Sequence, residues 1–177
     1  MNENTIKVNR APVLTLWGVV VARRLGHDED AALTLGRALA GLNAQSKGRN
    51  LGIFGPPKAT DESGAPRKAG LGEEFWVQLC GRPIPAKETD QGTRAVTGDQ
   101  PLDPDTVRRY LGKAFGDSFG DVRAALEELA AAYDPDKLEP AAYRLYERFR
   151  PKIERGKAGW GQKGELSLDT IRSLAPS

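Results

Sequence analysis

The sequence predicts a mainly α-helical single domain, 1–177: a helical bundle of about five main helices with a small β-hairpin insertion. Three observations carry that expectation. Long stretches space apolar residues three and four apart. Acidic or Asp-Pro punctuation at Asp28, Asp103 and Asp134 marks helix starts. Only one region, 73–98, is rich in β-formers. The length of 177 residues is enough to bury a core without metal or disulfide.

The first helix starts near Arg10, with Pro12 in its first turn, and ends at Gly26. Val13, Trp17, Val20, Val21 and Leu25 form its stripe; Leu14 and Leu16 widen it, which makes this the central helix. Asp28 caps the second helix, Glu29 and Asp30 suit its positive end, and Ala32, Leu35, Gly36, Leu39, Ala40 and Leu42 follow at helical spacing. Gly18 and Ala22 form a small-residue ridge on the first helix, and Ala32, Gly36 and Ala40 form another on the second. Two such ridges allow close backbone approach and explain glycines that otherwise cost helix stability.

The second helix exits through Gly48, flanked by Lys47 and Arg49. Residues 55–72, rich in Pro, Gly and small polar residues, read as a mobile surface loop, either a tether or a lid, with the tether the simpler reading. EEFWVQLC, 73–80, reads as a strand, with Arg94 to Thr97 as its partner across the polar turn Lys87 to Gly92. Pro83 and Pro85 do not suit a central strand, so a short hairpin is expected. Asp103 caps the third helix and Pro104 opens it, with Val107, Tyr110, Leu111, Ala114 and Phe115 on one face. The fourth helix runs from about Asp117 to Tyr133. The fifth runs from Asp134-Pro135 to Arg150, with Pro140 in its first turn and Leu138, Ala142, Leu145, Tyr146 and Phe149 inward. Leu166, Leu168, Ile171 and Leu174 suffice for a short strand or loop and one docking helix after Ser167.

A single cysteine, Cys80, excludes an internal disulfide, and one histidine, His27, leaves no Cys/His set for tetrahedral zinc. Cys80 reads as a buried structural thiol and His27 as a helix-helix turn residue; no catalytic set, metal site or cofactor site emerges. The N-terminal MNENTIKVNR is polar, and the run Val13 to Ala22 is too short to cross a bilayer, so the reading is a soluble cytoplasmic protein without a membrane partner.

Charge is uneven. Residues 1–54 carry seven Lys/Arg against four Asp/Glu and residues 150–177 carry six against three, so each end is +3, while the middle offsets both. If the ends meet, they make one basic surface. Two stretches concentrate donors: Asn43, Gln45, Ser46, Lys47, Arg49 and Asn50 at the helix exit, and Lys157, Trp160 and Lys163 among glycines. The helix dipole explains part of the first cluster, because cations suit a C-terminal end. Gly159 to Gly164 fits G-x-G-x-x-G literally, but a helix precedes it and Glu165-Leu-Ser-Leu168 follows, so no dinucleotide fold is expected.

RAPVLTLWGVVVARRLG, ALTLGRALAGLNAQSKGR and GWGQKGEL together resemble a family of uncharacterised bacterial proteins, over the first 54 residues and around Trp160. The resemblance implies no activity; it implies that the two basic, glycine-bearing stretches belong to one surface. The leading expectation is a binding protein, not an enzyme, contacting nucleic acid or another polyanion through Asn43, Ser46, Lys47, Arg49, Lys157, Trp160 and Lys163. Two alternatives stand beside it: an enzyme or sensor for a small phosphorylated or carboxylated ligand, and a protein-interaction module that dimerises or binds a partner through a helix face.

Overall fold

The computed structural model describes residues 5–50, 74–97, 100–151 and 164–175; within these, the side chains of 43–50, 74 and 97 lie outside the description. The fold is mainly helical, and its strand content exceeds a small hairpin: two antiparallel sheets, of two and four strands, accompany the helices. The surface-loop expectation for 55–72 and the residues Lys157, Trp160 and Lys163 fall outside the described residues.

Helix α1 (Arg10–Arg24) is the central element, with every residue from Pro12 to Ala22 buried. It ends in a paired-bond C-cap: Gly26 N–H donates to Arg23 O and His27 N–H to Ala22 O, with Gly26 at φ 111°. Only glycine adopts that backbone cheaply. Helix α2 (Glu29–Asn50) follows antiparallel, capped by Asp28 Oδ1, which accepts from Ala31 N–H at 2.8 Å. It runs two residues beyond Gly48, the expected exit. The small-residue ridges meet as their spacing requires. A Cβ on Gly36 would sit 2.3 Å from Thr15 O, and one on Gly18 would sit 2.8 Å from Gly36 Cα.

The larger sheet has strand order β2 (Glu74–Leu79), β3 (Arg82–Thr89), β4 (Gly92–Thr97), β5 (Gln100–Pro101). Strand β2 pairs with β3, not with Arg94 to Thr97, and Pro83 and Pro85 lie inside a central strand after all. Register explains it. The tight two-residue turns at 80–81 and 90–91 make Leu79↔Arg82 and Thr89↔Gly92 the hydrogen-bonded closing pairs, so Pro83 and Pro85 face away from β2. On that side β4 pairs only as far as Ala86, so no ladder bond needs the missing N–H groups.

Val77, Leu79, Ile84, Ala86 and Ala95 bury the sheet's inner face, and α2 packs against β3 and β4. Where β5 ends, Ala95 N–H is satisfied by the buried hydroxyl of Thr34 on α2, at 3.0 Å.

Helix α3 (Pro104–Phe115) is capped by Asp103 as expected, and a 3₁₀ turn (Gly116–Ser118) leads into α4 (Phe119–Ala131). Helix α5 (Pro135–Phe149) buries all five residues of its expected stripe. Pro140 lies in its second turn rather than its first, and its ring is exposed. Trp17 fixes α5 to α1: its indole N–H donates to Ala142 O at 2.8 Å, and its ring meets Phe149 edge-on at 5.4 Å. Strand β6 (Gly164–Ser167) and α6 (Leu168–Ser173) complete the chain, the helix capped by Ser167. The polar N-terminus holds an unexpected strand, β1 (Thr5–Val8), paired antiparallel with β6 from Thr5↔Ser167 to Val8↔Gly164. Among the described residues, no helix is long and apolar enough to cross a membrane.

Candidate anion-binding surface

The two ends of the chain meet at the start of α1. Val8 pairs with Gly164, and Arg10 Nε donates to Pro151 O at 2.9 Å. The chain therefore leaves the described fold at Pro151 and re-enters it at Gly164 beside the same helix end. The contact between Gly18 and Gly36 sets the register of α1 against α2. From that crossing α2 continues fourteen residues, about 21 Å, and α1 extends back only eight, about 12 Å, at about 1.5 Å per residue. The last turn of α2 thus reaches past the start of α1, with Asn43 about level with it and Ser46, Lys47 and Arg49 further along.

Four cations near this end have no ion-paired carboxylate among the described residues. Arg10 and Arg150 are close enough to repel: burial first, then the Arg150 guanidinium, pushes the Arg10 guanidinium below its ordinary value. Arg37 lies 4.9 Å over the Tyr110 ring, and Lys113 sits in the last turn of α3. The start of α1 adds the positive end of a helix dipole, with no acidic residue in its first turn and no side-chain cap.

The opposite end of α2 differs. There Glu29 takes Arg123 through two bonds of 2.7 and 2.8 Å and lies 3.6 Å from Arg23. Asp30 takes Arg108 at 2.9 Å and Arg94 at 3.7 Å. Hydrogen bonding from Arg123 holds the Glu29 carboxyl below its ordinary value. Those arginines are structural ties among α1, α2, β4, α3 and α4.

Of the residues expected at a site, Asn43, Ser46, Lys47 and Arg49 lie on the described backbone of α2 but their side chains are outside the description; Lys157, Trp160 and Lys163 are outside it altogether. Arg10, Arg37, Lys113 and Arg150 were not singled out by sequence, because each looks like an ordinary cation beside a helical stripe. The available signal was positional: Arg10 lies within the basic stretch 1–54 and Arg150 opens the basic stretch 150–177.

Other chemistry is thin. Cys80 is buried and its thiol is pushed up by burial, which suits structure rather than nucleophilic attack. His27 is lowered by burial and sits in the α1–α2 turn. No group of three or more His, Cys, Asp or Glu among the described residues could hold a metal ion. No protein-family model, curated protein or solved structure matches the chain.

Proposed function

We propose that this protein binds nucleic acid or another polyanion through a basic surface at the start of α1. The observation that supports the reading is the position of Arg10 and Arg150, neither ion-paired with a carboxylate among the described residues, where the chain leaves and re-enters the fold. Like charges held together without a carboxylate cost stability, and an anionic partner offsets that cost. In this reading Lys47 and Arg49, on the projecting turns of α2, join Lys157 and Lys163 in phosphate contacts. Asn43 and Ser46 donate hydrogen bonds, and Trp160 stacks on a base.

Phosphate contacts release counterions, so affinity for a single-stranded oligonucleotide should fall steeply with salt. Lys47→Ala, Arg49→Ala and Lys163→Ala together should flatten the slope of log K against log salt by about 2, since each lost contact is worth roughly 0.7 on a single strand. Fluorescence anisotropy across a salt series measures both. No binding at low salt, or a triple variant with an unchanged slope, contradicts the proposal. Trp160→Ala should weaken the oligonucleotide and leave heparin binding unchanged; equal effects would assign the surface to polyanions in general.

A further inference from the structure

We propose that the cavity between the start of α1 and the second half of α3 binds a small amphiphilic anion, one anionic group carried on an apolar body. The cavity holds about 300 Å³, at the lower end of the range that small-molecule sites occupy. Val8, Ala11, Pro12 and Ala114 make most of its wall apolar, and Tyr110 closes one side. Such a wall disfavours a fully hydrated inorganic ion or a phosphate backbone, which would lose water without replacement there.

Two polar residues complete the lining, Asn9 and Lys113. Lys113 is exposed, with no described carboxylate paired to it, so its ammonium is available to an anion at the mouth. Asn9 is the residue before α1, yet its side chain does not cap the helix, and its buried Oδ1 accepts no hydrogen bond. That oxygen is an acceptor and offers an anion no bond, so the charge-assisted bond falls to Lys113. Tyr110 is held in place by Arg37 over its ring, so that wall is formed before a ligand arrives. The cavity shares Lys113 and the start of α1 with the cation cluster, but the polyanion reading rests on Arg10, Arg150 and the last turns of α2, so failure at the cavity leaves that reading standing.

The test titrates the full-length ¹⁵N-labelled chain with three probes: benzoate, its neutral counterpart benzamide, and inorganic phosphate. Benzoate should shift the amide resonances of Asn9, Ala11, Lys113 and Ala114 saturably. Benzamide and phosphate should each bind about tenfold more weakly, the first for want of a charge-assisted bond and the second for want of an apolar body. Lys113→Gln, an exposed change, should bring benzoate down to the level of benzamide and leave benzamide unaltered. The proposal is overturned by no saturable shift up to about 10 mM benzoate, by shifts centred elsewhere, or by benzoate binding that survives Lys113→Gln. Phosphate or benzamide binding as tightly as benzoate overturns it too.

Discussion

Gly36 shows how a single side-chain atom decides the packing of the central helix pair. A methyl group there meets the Thr15 carbonyl oxygen at 2.3 Å and the Val19 backbone nitrogen at 2.9 Å, both main-chain atoms that cannot rotate aside. Gly36→Ala should therefore cost about 3 kcal/mol by forcing α1 and α2 apart, far outweighing alanine's helix propensity. Gly112, on the exposed face of α3 with nothing within 4 Å of an added Cβ, makes the control. Gly112→Ala should stabilise by up to about 1 kcal/mol. Urea denaturation measures both, and a Gly36→Ala protein as stable as the parent would refute the close approach. This feature was legible because small residues four apart on two adjacent helices favour a contact in which the two backbones nearly touch. Cys80 was legible only in part. Its apolar setting announced burial, but its left-handed backbone, φ 54° beside Gly81 at φ 77°, was hidden, since Cys-Gly carries none of the Asn or Asp signal of such turns.

Among the elements, helices were readable and strand pairing was not. Caps at Asp28, Asp103 and Ser167 act on residues three or fewer positions away, so local sequence suffices. The pairing of β1 with β6 joins residues near opposite ends of the chain, and two four-residue strands are too short for an alternating pattern to stand out. Pro83 and Pro85 misled for a related reason: what a proline costs a strand depends on where each neighbour stops, which is tertiary information. The ion-pair end of α2 carries a prediction at this scale. Because Arg123 lowers the Glu29 carboxyl below its ordinary 4.5, the folded state releases that proton more readily than the unfolded one. The resulting stability is present above pH 4.5 and is lost as pH falls through the lowered value. Glu29 is 38% exposed, so solvent screens the pair and the effect should be modest. Glu29→Gln should lose stability near neutral pH and show a shallower decline under acid. A variant with the parental pH profile would show that the Arg123 contact contributes nothing.

Across the whole molecule, charge is sorted by what it is paired with rather than by its net sum. At the start of α2, carboxylates and arginines satisfy one another; at the start of α1, Arg10 and Arg150 have no ion-paired carboxylate among the described residues. The +3 excess at each end of the chain hints at one surface; β1–β6 pairing joins Thr5–Val8 to Gly164–Ser167, while Lys152, Arg155, Lys157 and Lys163 lie outside the described residues. Deleting residues 1–9 should therefore lower both thermal stability and oligonucleotide affinity. It removes the partner of β6, leaving Leu166 without its cover, and frees the re-entry point at Gly164. A truncated chain that keeps full affinity would separate the binding surface from the joined ends. The most direct test of that surface is an amide chemical-shift map of the ¹⁵N-labelled chain titrated with a single-stranded oligonucleotide at low salt. The account predicts perturbations at Arg10, Arg150, the last turns of α2 and the segment from Lys157 to Lys163, with Glu29, Asp30, Arg108 and Arg123 unmoved. Perturbations centred on that second group, or none anywhere, would contradict it.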